Sequence, residues 1–153
     1  MATRPLSAAE AEIVAGLDPE FQPVALKHRA AALAEGLPFE FISGFRSRSQ
    51  QAAEAAAPDR TTPAAPAGMS KHEVGFAYDI RKLGLTPAQI ERIGVLGEGL
   101  GLRWGGRFKP TPDPNHYEAP QPRVTLSAYR SVKIGFGVAL LAVGAITVVG
   151  GEG

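Results

Sequence analysis

The chain of 153 residues has no cysteine, an absence that removes disulfides, thiolate nucleophiles and cysteine-based structural zinc together. Any metal must be held by histidine and carboxylate, and only three histidines are available. An excess of charge of one sign is also lacking. Sixteen Lys and Arg stand against 15 Asp and Glu, a formal +1, which makes no field able to gather a nucleic-acid backbone. Nucleic acid is therefore not expected as a partner. The stretch Met1 to Glu10 has no basic start followed by an apolar run and does not read as a secretory signal, so synthesis and initial retention in the cytoplasm are expected. There is no internal repeat, and the length suits one compact domain with a short appendage and a single active site.

Local patterns place the elements. Ser7 opens a Ser-Ala-Ala-Glu capping box before a helix over Ala8 to Leu17. Asp18-Pro19-Glu20 reads as the cap and first turn of a second helix, which carries Phe21, Val24, Leu26, Ala30 and Leu33 and ends at Gly36, with Pro23 in its first turns. Phe39 to Ser43 alternates and is rich in aromatic and β-branched residues, as a strand should be. Ser49 to Ala57 reads as helix, and Pro58 to Gly68, with three prolines, as a surface loop. Val74, Phe76, Tyr78 and Ile80 alternate with Gly75, Ala77 and Asp79, a strand pattern with its large apolar set on one face. Thr86-Pro87 caps a helix through Leu100 that Gly101 closes, and His116 to Glu118 is strand-like. The fold class is α+β, helices packed on a small, mainly antiparallel sheet.

Residues 1–123 are read as the catalytic domain and residues 124–153 as a hydrophobic tail. Ile134 to Gly151 is an uncharged run of 18 residues, at the short end of a span for a hydrocarbon core of about 30 Å. The alternative is a packed C-terminal helix or hairpin. Arg123, Arg130 and Lys133 precede the run and only Glu152 follows it, so an inner-membrane span would leave the main domain cytoplasmic.

The chemistry concentrates in two segments, Ser70 to Asp79 and Asp113 to Glu118. His72, Asp79 and His116 offer two imidazoles and a carboxylate, a three-ligand set of the kind that leaves a fourth position on zinc for water. On an unbroken strand His72 has the wrong parity to meet Asp79, so the chain must bend between them, and Gly75 is the place for it. Asp113, stiffened by Pro112 and Pro114, is the candidate general base. Arg46, at a glycine turn after the first strand, is a candidate donor to a substrate carboxylate or oxyanion. Each has a plainer reading. Arg46 alone is a solvated charge, Asp113 a turn residue, Trp104 a packing residue beside the cleft, and His28 a surface or core histidine. Glu73 and Glu118 are either solvated or oriented behind a ligand imidazole, and spacing does not choose between these.

The ordered set Gly44-Phe45-Arg46-Ser47, Gln51, Ser70-x-His72-x-x-Gly75-x-Ala77-x-Asp79 and Asp113-x-x-His116-Tyr117-Glu118 resembles the D-alanyl-D-alanine carboxypeptidase and L-alanyl-D-glutamate endopeptidase family of zinc peptidases, from about Leu37 to Pro120. The resemblance implies the small α+β unit that this family shares with the hedgehog signalling domain. It implies one zinc ion per chain on His72, Asp79 and His116, with Asp113 as acid/base. Arg46 would bind substrate and transition state, and Ser70 would contact substrate. An aspartate at the base position is common in phage endolysins, whereas vancomycin-resistance-type D,D-peptidases usually carry glutamate. Endolysin-like members often read Trp-Gly-Gly-Asp-Trp where this chain has Trp104-Gly105-Gly106-Arg107-Phe108. The expectation is a phage-type endolysin, acting on the cell wall, that cuts the L-alanyl-D-glutamate bond of the peptidoglycan stem peptide. The alternatives are a D-alanyl-D-alanine carboxypeptidase or dipeptidase and an inactive zinc-stabilised binding module.

Overall fold

A computed structural model of the chain describes residues 4–58 and 63–120. Helix α1 (Ala8–Gly16) starts at the expected capping box, with Glu10 N donating to Ser7 Oγ and Ser7 N donating to the Glu10 carboxylate. Helix α2 is Gln22–Ala34, later than the sequence suggests. Asp18 caps a separate turn instead, accepting from Glu20 N through its side chain and from Phe21 N and Gln22 N through its carbonyl. Strand β1 (Phe39–Ser43) and helix α3 (Arg48–Ala56) follow, the latter capped by Ser47. Strand β2 is Ala77–Lys82, helix α4 Pro87–Gly99, strand β3 Arg103–Trp104 and strand β4 His116–Glu118. The strand pattern read from Val74 is corrected at its start: Lys71–Val74 form a 3-10 turn, closed by Gly75 at φ +73°.

The four strands form an antiparallel sheet in the order β1-β2-β4-β3. Its core face carries Phe39 and Phe41, Tyr78 and Ile80, and Tyr117, all buried. Tyr78 and Tyr117 are register partners, and their rings stack at 5.6 Å. Helices α1, α2 and α4 cover this face with Val14, Ala25, Ala32 and Ile93, joined by Leu17 just past α1. Burial of each large apolar side chain contributes about 1.5–3 kcal/mol. An exposed ion pair such as Arg81–Glu40, which also bridges β1 and β2, is worth about 0.2–1 kcal/mol. Apolar packing, not surface charge, therefore holds β1 to β2.

His28 belongs to this core. Its ring is fully buried among Phe39, Tyr78 and Tyr117. Nε2 lies 2.9 Å from the Ile93 carbonyl and Nδ1 2.8 Å from the Tyr78 hydroxyl. A carbonyl can only accept, so Nε2 carries the proton and the Tyr78 hydroxyl donates to Nδ1. One neutral imidazole thus satisfies a helix carbonyl and a buried phenol and ties α2 to α4 and β2.

Among the described residues no helix is long and apolar enough to cross a membrane. The run 134–151 and the boundary at residue 123 lie outside the described residues.

Burial pushes the His28 pKa down from 6.5 to about 4, and its hydrogen bond to Ile93 offsets only part of that. Between these values the unfolded chain takes up a proton that the native ring refuses, so His28 costs stability progressively as pH falls from about 6.5, and the loss is complete below the folded value. In urea unfolding at about pH 7.5 and about pH 4.5, the wild type should lose about 2–3 kcal/mol more than His28→Leu. Equal losses would mean that the native ring protonates as readily as a free one.

Candidate metal centre

The opposite face of the sheet carries the polar residues. On β2 and β4 the alternation that sends Tyr78 and Tyr117 into the core sends Asp79 and His116 outward as direct register partners. Asp79 Oδ1 lies 3.0 Å from His116 Nδ1. His72 arrives from the 3-10 turn, with Nε2 3.3 Å from His116 Nδ1 and 3.5 Å from Asp79 Oδ2. The ligand atoms of these three residues all lie within 4.8 Å of one another.

Several local features deliver His72. The Ser70 hydroxyl accepts from His72 N, while the Glu73 carboxylate accepts from Ser70 N and Gly68 N. Glu73 is thus a buried cap, which settles its undecided sequence reading. Gly75 then reverses the chain in a left-handed conformation, and its carbonyl accepts from Asp18 N. A Cβ at this position would lie 2.6 Å from Asp18 N, so glycine is required by both backbone angle and space. The bend foreseen at Gly75 is this cap.

Arg46 is not a solvated charge. Its Nε donates to Ser43 Oγ at 3.0 Å, Nη1 to Gln51 Oε1 at 3.5 Å, and Nη2 to Asp79 Oδ2 at 2.5 Å. Ser43 reaches the site because β1 bulges: Phe41 pairs with Ile80 and Ser43 with Asp79, leaving Ile42 as the extra residue. Without the bulge Ser43 would share the core-facing parity of Phe39 and Phe41. Gln51, itself buried, also donates to the Ala65 carbonyl and so joins α3 to the proline-rich loop.

Asp113 lines the same cleft, an open cavity of about 890 Å³ that also includes Arg46, Ser70, His72, Asp79 and His116. Its loop is held against the 3-10 turn Gly105–Arg107: Asp113 N donates to Gly105 O at 2.8 Å, and a Cβ on Gly105 would meet Asp113 O at 2.2 Å. Trp104 packs beside the cleft as foreseen, and its indole N–H donates to the Pro114 carbonyl. The Asp113 carboxylate also accepts from Asn115 N, so the residue closes a turn while lining the cleft. Arg107, at the departure from the endolysin-like motif, lies over the Trp104 ring and pairs with Glu91 and Glu98.

The donor set fits zinc. For bonds of about 2.0–2.1 Å, neighbouring ligands of a tetrahedral ion stand roughly 3.3 Å apart; the two imidazole nitrogens stand at 3.3 Å, with one Asp79 oxygen 3.0 Å from His116 and the other 3.5 Å from His72. His72 Nδ1 lies 2.6 Å from the Gly44 carbonyl. That acceptor fixes the proton on Nδ1 and turns the Nε2 lone pair toward the other two ligands. Burial disfavours charge on Asp79, but the His116 and His72 imidazoles against its two oxygens outweigh it and hold the carboxyl well below the usual carboxylate range. Burial likewise opposes a charged His116, yet Asp79 and Glu118 raise its pKa to about 9.

The sequence alone did not single out Ser43, left Glu118 undecided and treated Gln51 only as part of a motif. The spacing of His116 and Glu118, two apart on a strand and therefore on one face, was the signal for Glu118. Ser43 had no such signal, because its position depends on the bulge.

Residues 64–119 match the sequence model of the D-alanyl-D-alanine carboxypeptidase family. No curated protein matches the chain. Among solved structures, the L-Ala D-Glu endopeptidase ChiX of Serratia marcescens is similar with a TM-score of 0.59 and 21% identity, over 76% of this chain and 90% of that one. A vancomycin-resistance D,D-pentapeptidase in complex with Zn(II) is similar at 0.54 and 22%, over 69% and 73%. An L,D-carboxypeptidase from Streptococcus pneumoniae is similar at 0.52 and 19%, over 78% and 73%. At these identities the likeness establishes the fold, and the sequence model covers the segment with His72, Asp79, Asp113 and His116. Residues 64–119 thus carry the sequence pattern of the D-alanyl-D-alanine carboxypeptidase family, and the described residues have the fold of these solved peptidases.

Proposed function

We propose that this chain is a zinc-dependent peptidoglycan endopeptidase of the endolysin type, cutting the stem peptide between L-alanine and D-glutamate. The observation that carries the reading is the convergence of His72, Asp79 and His116 within 4.8 Å, with Asp113 in the same cleft. A structural site has no use for a further carboxylate facing the same space, whereas hydrolysis does. Asp113 rather than glutamate, and likeness to an L-Ala D-Glu endopeptidase over 90% of that chain, support this bond. One solved relative is in complex with D-alanine-D-alanine, and another, the LD-carboxypeptidase LdcB, reveals a molecular basis of peptidoglycan recognition. Both are in keeping with a stem peptide as substrate.

His72, Asp79 and His116 would hold one zinc ion per chain. When bound, zinc supplies Lewis acidity, lowering the pKa of a water toward about 7 and polarising the scissile carbonyl. Asp113 takes the proton released by the attacking water and returns it to the nitrogen of the departing amine, so the carboxylate ends the cycle as it began. Arg46, fixed by Ser43 and Gln51, keeps a positive charge beside Asp79 for a substrate carboxylate or the developing oxyanion. Ser70 shapes the centre by capping the turn that carries His72, and it lines the cleft where substrate would lie. A second reading, a D-alanyl-D-alanine carboxypeptidase, is favoured by the description of the matching family.

The full chain, stripped with a chelator and reloaded, should take up one zinc by elemental analysis, and His72→Ala, Asp79→Ala and His116→Ala should each fall toward zero. A full complement of zinc in all three variants would exclude this site. Digestion of purified peptidoglycan, followed by mass spectrometry, should give chelator-sensitive products with a new N-terminal D-glutamate. Free D-alanine would select the carboxypeptidase instead. Asp113→Asn should keep its zinc and lose about 10²–10⁴-fold in rate. No cleavage by the zinc-loaded wild type would leave a binding module.

A further inference from the structure

Behind His116 lies a carboxylate with no part in the chemistry above. Glu118 is 8% exposed and stands two residues along β4 from His116, on the same face. Its Oε2 lies 3.1 Å from His116 Nε2. Its Oε1 lies 2.5 Å from Arg103 Nη1 and 3.6 Å from Lys71 Nζ. The two cations reach it from opposite sides, Arg103 as its register partner on β3 and Lys71 from the 3-10 turn before β2.

We infer that Glu118 is a positioning residue for the metal centre, holding the His116 ring and its proton so that Nδ1 faces His72 and Asp79. This rests on the zinc reading proposed above. The two imidazoles are held differently. His72 is oriented by the Gly44 carbonyl, a backbone group that no side-chain substitution removes. His116 depends on a side chain. A half-turn of its ring about the Cβ–Cγ bond would put carbon where Nδ1 belongs, and a proton moved to Nδ1 would block the lone pair. An acceptor at Nε2 opposes both changes, because only one ring orientation and one tautomer present an N–H to it. Arg103 and Lys71 engage the other oxygen and hold the carboxylate against rotation. Arg103 is itself braced, its guanidinium lying 5.1 Å over the Phe108 ring.

The rival role for Glu118 is a tie between β3 and β4 through Arg103. Zinc affinity of the full chain, measured by competition with a chromogenic chelator, separates the two. Glu118→Ala should weaken zinc about 10–100-fold. Glu118→Gln, whose amide oxygen still accepts from Nε2–H, should recover most of that loss. Arg103→Ala, which cuts the tie but leaves the acceptor, should stay within a few-fold of wild type. Long-range proton–nitrogen NMR of the zinc-loaded protein should show His116 as one Nε2–H tautomer, and a mixture in Glu118→Ala. Wild-type affinity in Glu118→Ala, or an equal loss in Arg103→Ala, would overturn the assignment. Wild-type affinity in His116→Ala would instead sink the metal centre itself.

Discussion

The pairing of β2 with β4 is the constraint on which the site depends. Tyr78 opposite Tyr117 and Asp79 opposite His116 are one register seen from the two faces of the sheet. Side chains alternate along a strand, so a slip of one residue would move the tyrosines out of the core and Asp79 and His116 into it. The fully buried Tyr78 and Tyr117 thus set the position of two candidate ligands on the opposite face. His28 reinforces that register from the helical side by accepting from the Tyr78 hydroxyl and packing on the Tyr117 ring.

Departures from regular structure complete what the register begins. The 3-10 turn with its left-handed Gly75 corrects the parity of His72, and the bulge at Ile42 corrects that of Ser43. The close approach at Gly105 lowers the Asp113 loop onto the sheet. The first two are local, and each puts a polar side chain on a face that an ideal strand would deny it. Asp79 illustrates the electrostatic result. A largely buried carboxylate is costly alone, yet the His72 and His116 imidazoles keep it ionised, and Arg46 pairs with one of its oxygens. A divalent cation would complete that neutralisation.

Much of this was legible in the chain. The capping box at Ser7 and the cap at Thr86 were readable because a cap is satisfied within four residues. His72, Asp79, Asp113 and His116 could be grouped because their residue types are chemically scarce here. The start of α2 was not legible. Asp18 satisfies the same backbone donors in a free turn as at a helix cap, and its own amide donates to Gly75, a partner 57 positions away. The strand pattern from Val74 misled for a related reason, since alternation alone does not distinguish a strand from a 3-10 turn that leads into one.

The sequence by itself determined the donor chemistry, the need for a break at Gly75 and the α+β class, because these follow from residue type and short-range backbone preference. Tertiary structure alone decided that Arg46 is anchored by Ser43, that Glu118 faces His116 rather than solvent, and that Trp104 holds the loop of Asp113 through the Pro114 carbonyl. These depend on strand register, on a bulge and on loop closure. All three are settled by packing between segments far apart in the chain.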